Sequence, residues 1–109
     1  MKIYTYDEIT HFARQIENKE LIETKEILMR KGEGGWSVVH VLAWNSDNTK
    51  WQTFDKEILM LQDENETSVA HCLAYKHPTW KTDDLEILSF YGDMWEETVE
   101  DTLVKKGKM

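Results

Sequence analysis

The chain has little of what most often dictates chemistry or punctuates a fold. Among 109 residues there are one cysteine, one proline and five glycines. A single cysteine excludes an internal disulfide and every metal site built on paired cysteines. No apolar run approaches the roughly 20 residues of a membrane span, and "MKIYTYDEITHF" lacks the apolar centre of a secretory leader. A soluble, cytoplasmic protein without membrane contact is expected. A glycine-rich phosphate loop is also missing. "GEGG" at 32–35 has no strand before it and no Lys-Ser/Thr after it. It reads as the stop of the helix "EILMRKG", with Gly32 at its end. Basic residues are scarce against acidic ones, 13 to 21, for a net charge of −8. The deficit is local. Residues 55–101 hold 13 acids and 3 bases, whereas 1–54 hold 8 and 7, and 102–109 carry three lysines and no acid. Nucleic-acid binders show the opposite excess, so no direct contact with DNA or RNA is expected.

What the chain does have is a repeat. "EIL" recurs at 26–28, 57–59 and 86–88. "S-V-x-H-x-L-A-aromatic" recurs as Ser37–Trp44 and Ser68–Tyr75, and "W-x-T" as Trp51–Thr53 and Trp80–Thr82. The unit of about 30 residues reads as a helix, a loop, a second helix and the turn "DENE". Val69, Cys72 and Leu73 share one face of the first helix, and Ile58, Leu59 and Leu61 supply the stripe of the second. Thr53 and Thr82 are the expected N-caps, with Asp83 and Glu86 forming a capping box. Pro78 and the Asn-Ser-Asp-Asn run at 45–48 should break the chain between helices. Each helix is expected to run about two or three turns, too short to stand without neighbours.

The ends read as altered copies. Thr5 and Glu8 predict a capping box before the stripe Ile9, Phe12, Ala13 and Ile16, and 18–31 supplies a second N-terminal helix. "ETVEDTLV" at 97–104 aligns with "TSVAHCLA" at 67–74, with Glu100 and Asp101 in place of Ala70 and His71. Such a change suits a cap whose outer face is wet. Glu96 and Glu97 before that helix and Lys105 and Lys106 at its end suit the helix dipole. A single domain results, with 1–35 as N-terminal hairpin, 36–66 and 67–95 as repeats, and 96–109 as capping helix.

"WSVVHVLA" and "TSVAHCLA" resemble the Thr-Pro-Leu-His-x-Ala segment that opens each ankyrin repeat. Ser37 and Ser68 take the place of the threonine, and His40 and His71 that of the histidine. Val38 and Val69 replace the proline, and "LQDENET" is short for the hairpin finger of that family. The resemblance implies an all-α solenoid of three to four stacked helical hairpins without long fingers. It also implies that His40 and His71 tie neighbouring turns by hydrogen bonds, as architecture rather than chemistry. A metal site would need Cys72 or His77 as a further ligand, and Cys72 points about 100° away from His71 on a helix. His11 and His77 lie outside the pattern and read as surface residues. Cys72 reads as a small core residue. No catalytic residue, metal or cofactor is expected.

Function should lie where the repeat is broken. Trp44 matches Tyr75 and Trp51 matches Trp80, so these four read as packing between units. Trp36 and Trp95 have no aromatic counterpart and stand in the turns, where they read as anchors for a partner. Asp63, Glu64 and Glu66, then Asp93, Glu96 and Glu97, should line the same edge as an acidic rim that steers a basic surface. The expected function is non-catalytic binding to a basic protein surface, including that of a nucleic-acid-binding protein. Phage-encoded inhibitors of host defence enzymes share this composition, an analogy of composition alone. Mimicry of nucleic acid by spaced carboxylates, and a small enzyme with an unrecognised site, are the alternatives. Self-association through an exposed flank is compatible with so many aromatics.

Overall fold

The computed structural model describes residues 3–93 and 95–109. The described chain is mostly helical. Helix α1 (Tyr6–Glu17) follows Thr5, whose hydroxyl accepts from Glu8 N while the Glu8 carboxylate accepts from Thr5 N. The same reciprocal closure opens α3 (Val38–Trp44) at Ser37 and α8 (Val99–Lys105) at Thr98. Helix α6 (Val69–Lys76) starts at Ser68, whose hydroxyl accepts from His71 N. Between them lie single-turn helices: α2 (Lys25–Leu28), α4 (Ser46–Thr49), α5 (Lys56–Leu59) and α7 (Leu85–Leu88).

Helix α3 packs between α1 and α6, and α6 between α3 and α8. The short helices α2, α5 and α7 lie against α3, α6 and α8 respectively. The repeated sequence therefore returns as repeated packing. Val38, Val69 and Val99 occupy one phase and Leu42, Leu73 and Leu103 another, all of them fully buried. Valine and leucine four apart share a helix face. Burying each such side chain contributes about 1.5–3 kcal/mol, which compensates for helices too short to persist alone.

Successive units are also joined by polar ladders. Lys25 pairs with Asp55 at 3.3 Å and with Glu57, and Lys56 pairs with Asp84 at 3.5 Å and with Glu86. Leu85 occupies the third such position and is 80% exposed. The Trp80 indole donates to Thr53 O at 3.0 Å, and the Trp51 indole to the Glu23 carboxylate at 2.7 Å. At the end of α6, Lys108 Nζ donates to the carbonyls of Ala74 (2.8 Å), Leu73 and His77. Burial lowers this ammonium to about 8.

Several expectations are corrected. The chain is not purely helical: β1 (Tyr91–Gly92) pairs antiparallel with β2 (Glu97–Thr98). Lys31 opposite Ser37 and Gln62 opposite Ser68 form the same pairing as single bridges. These are the inter-unit turns, whose flanking backbone groups satisfy each other before each helix begins. The second helices run one turn, and nothing helical precedes Lys25 in 18–24. Asp55 and Asp84, not Thr53 and Thr82, are the N-caps, and the threonine hydroxyls accept from the Asp55 and Asp84 N–H groups instead. Asp83 forms no capping box. The Asn45–Asn48 run does not simply break the chain: it carries α4, which ends at Lys50 with φ 63°. Gly32 does not end a helix, since α2 stops at Leu28, and its N–H instead closes the turn onto Trp36 O at 2.8 Å.

Candidate functional site

His40 and His71 are completely buried. His40 Nε2 lies 2.9 Å from Thr67 O, and His71 Nε2 lies 3.1 Å from Glu97 O. A carbonyl only accepts, so each Nε2 carries the proton. Each Nδ1 then accepts from a serine hydroxyl, Ser37 or Ser68, at 2.7 Å. Each ring is thus a neutral imidazole joining its own helix start to the next turn. Burial pushes both imidazoles below their ordinary value. In α8 the phase-mate is Asp101, which closes the box on Thr98 N.

His77 departs from the surface reading. It is only 4% exposed. Its Nδ1 accepts from the Thr79 and Trp80 N–H groups, and its Nε2 donates to Lys50 O at 3.3 Å. Burial lowers it as well. His11 is exposed, as expected.

The two serine–histidine pairs have the spacing of a nucleophile and its base. Both are sealed in the core with every polar atom engaged, so neither can meet a substrate. Cys72 is buried, and desolvation pushes its thiol far above the ordinary range. Among the described residues no group of three His, Cys, Asp or Glu is placed to hold a metal ion. No described helix is long and apolar enough to cross a membrane. An open depression of about 820 Å³ lies between the first two turns and is lined by Tyr4, Met29, Arg30, Gly35 and Asp63 among others.

Trp36 and Trp95 share a role that their positions in the chain hide. Trp36 lies over His40 with ring centres 4.7 Å apart, and Trp95 lies over His71 at 5.7 Å. Trp36 arrives from the turn before its histidine, Trp95 from the turn after. The Trp95 indole donates to Thr67 Oγ1 at 3.3 Å. Thr67, the phase-mate of Trp36, is small where Trp95 needs the space. Both tryptophans are half-buried.

Trp44 and Tyr75 are not enclosed packing residues. They remain 39% and 40% exposed while touching each other at 6.0 Å. Trp95 meets Tyr75 edge-on at 5.3 Å and Trp44 at 6.4 Å. Trp36 and Trp44 line a groove of about 300 Å³ with Tyr6 and Val41. Trp44, Tyr75 and Trp95 thus form one aromatic cluster, and Trp36 lies across the groove from Trp44. The Trp44 and Tyr75 rings do meet across α3 and α6, as their shared phase suggests; what the phase hid is their exposure. Their place before a polar residue at a helix end was the available signal of exposure. Lys76 Nζ stands 4.9 Å from the Trp44 ring centre, and Lys106 Nζ 4.6 Å from that of Tyr75.

The acidic residues divide into two groups. Asp63 is structural, its carboxylate accepting from Asn65 N and Thr67 N at 2.9 Å. So is Glu97, bonded to the Thr102 hydroxyl and paired with Lys105 at 2.8 Å. Lys105, then Thr102, hold its carboxyl below the ordinary value. Glu64, Glu66, Asp93 and Glu96 are exposed on the turns. Glu64, Glu66 and Asp93 line one small cleft. The neighbouring Asp93 carboxylate pushes the Glu66 carboxyl above its ordinary value. Glu66 (φ 60°) and Glu96 (φ 55°) hold left-handed backbone, as Gly35 (φ 76°) does at the same place in the first turn.

Compared with family models, with curated proteins and with solved structures, the chain matches none.

Proposed function

We propose that this chain is a non-catalytic protein-binding module, a short ankyrin-like array whose turn edge docks on a basic protein surface. One observation carries the reading: the aromatic cluster of Trp44, Tyr75 and Trp95, with Trp36 across the groove from Trp44, reaches through Trp95 the turn edge that bears Glu64, Glu66, Asp93 and Glu96. Large aromatics at the centre and charge at the rim are the ordinary anatomy of a protein interface. The array reading is supported by the histidine ties, the lysine ladder and the paired turns, each recurring in phase. Inhibition of a nucleic-acid-binding partner falls within this reading.

The test uses the full chain as bait, beside two variants. Trp44→Ala/Tyr75→Ala removes exposed rings without uncovering a histidine. Glu64→Lys/Glu66→Lys/Asp93→Lys/Glu96→Lys reverses the rim. For a partner retained by the parent, the first variant should speed dissociation and the second slow association and flatten its salt dependence. A partner bound equally by all three places the functional face elsewhere. Competition by duplex DNA for the same partner marks nucleic-acid mimicry.

A further inference from the structure

The face that holds the aromatic cluster has opposite charges at its two ends. His40 and His71 tie the start of α3 to that of α6, and the start of α6 to that of α8. Lys108, just past α8, ties the far end of α6. The three helices therefore run side by side in one direction. The turns with Glu64, Glu66, Asp93 and Glu96 lie where these helices begin. Lysines lie where they end: Lys76 is the last residue of α6, and Lys106 follows α8. Both stand over the cluster, Lys76 Nζ at 4.9 Å from the Trp44 ring centre and Lys106 Nζ at 4.6 Å from that of Tyr75. Lys76 also pairs with Asp47 at 3.3 Å.

Between the charged ends the face consists of α1, α3 and α6, with the partly exposed Trp44 and Tyr75 rings and the groove that Tyr6, Trp36, Val41 and Trp44 line. The backbone groups of these helices are bonded internally. An extended chain laid across them would find no ladder partner, whereas a helix brings its own hydrogen bonds and needs only side-chain contacts. Charge then fixes the direction of such a helix. Its acids belong beside Lys76 and Lys106 and its bases beside the acidic turns. A helix carries acids best in its first turn and bases best in its last. Its N-terminus therefore falls at the ends of α6 and α8.

We propose that this face receives an amphipathic helix of the partner, lying antiparallel to α6. Carboxylates of its first turn meet Lys76 and Lys106, an apolar side chain fills the groove beside Trp44, and basic residues of its last turn meet the acidic turns. The inference rests on the docking reading above and names the docked segment and its direction. The acidic first turn is a requirement that a uniformly basic surface does not meet.

The experiment titrates the full chain with two peptides of about 16 residues that share one composition and one leucine stripe. One carries glutamates in its first turn and lysines in its last, and the other has the two sets exchanged. A hydrocarbon staple on the polar side keeps both helical before binding. By calorimetry the first should bind about tenfold more tightly, a difference that a few partly exposed ion pairs supply. Lys76→Gln/Lys106→Gln should remove most of the preference, and Trp44→Ala should weaken both peptides alike. A nitroxide on the first residue of the preferred peptide should broaden the amide signals of Lys76 and Lys106, and one on its last residue those of Glu66 and Glu96. Equal binding of the two peptides, or broadening with the ends interchanged, overturns the oriented helix and leaves the docking reading standing. No binding of either peptide overturns both.

Discussion

A buried imidazole is costly unless each nitrogen finds its partner, and here three of them do. His40, His71 and His77 each donate from Nε2 to a carbonyl in a neighbouring unit and accept at Nδ1. Replacing His71 with alanine strands Ser68 and Glu97 O and should cost about 1–3 kcal/mol, read as a lower urea midpoint. The same chemistry fixes a pH dependence. All three imidazoles are lowered below the ordinary 6.5. As pH falls, the unfolded chain takes up protons before the folded one. Their contribution to stability is thus complete above about 6.5 and is lost as pH falls through the folded values. Urea midpoints at pH 7.5, 6 and 5 should decline, and His71→Asn should decline less steeply. An unchanged midpoint from 7.5 to 5 would contradict the neutral-imidazole assignment. The shared phase of His40 and His71 made an architectural role legible and the ankyrin resemblance implied the ties, but not that each Nδ1 is met by the serine of its own helix start. The sequence hid His77, whose partner Lys50 O is brought near only by stacking, and nothing local marks a carbonyl in the preceding unit.

At the scale of elements, the turns decide more than the helices. Gly92 is extended, and a Cβ there would lie 3.1 Å from the His71 ring, close to Glu66 O as well. Gly92→Ala should therefore destabilise by about 1–3 kcal/mol, the range for overfilling a packed site, with helical circular dichroism preserved below the transition. A neutral outcome would mean that the His71 ring can shift without losing its bonds. These pairings escaped the sequence because a bridge of one or two residues leaves no alternation to read. The starts of α1, α3, α5, α6 and α7 were legible to within two residues, whereas the segment 18–31 is helical only from Lys25 and α4 was not foreseen. In "TFD" and "TDD" both the threonine and the second acid carry oxygens that serve a backbone N–H, and the local pattern alone does not choose between them. The equivalence of Trp36 and Trp95 was not legible at all. One reaches its histidine from upstream and the other from downstream, so the repeat phase set them apart.

At the scale of the molecule, charge is distributed unequally between stabilising and destabilising uses. The lysine ladder joins exposed groups, and such pairs are weak in water and weaker in salt. Against it stand a net charge of −8 and the facing carboxylates of the turns. Screening should relieve more repulsion than it removes attraction. The melting temperature should therefore rise between 0.05 and 0.5 M sodium chloride, and Glu66→Gly/Asp93→Asn should show a smaller rise. A fall in the parent would mean that the ladder outweighs the turns. Composition makes this imbalance legible, but not which acids are engaged inside the fold. Asp63 and Glu97 are, held by Thr67 in one case and by Thr102 and Lys105 in the other, partners that only the fold brings near.

The hold of Lys108 on the end of α6 also sets an orientation. Helix α6 has 8 residues, so its two ends lie about 12 Å apart. Its first end adjoins the turn that carries Glu64 and Glu66. Its last end receives Lys108 Nζ, one residue before Met109. A linker joined after Met109 leaves from the side remote from the acidic turns. Attached to a sensor surface through that linker, the molecule turns its carboxylates toward the solution, whereas random coupling through lysines pins it from several directions at once.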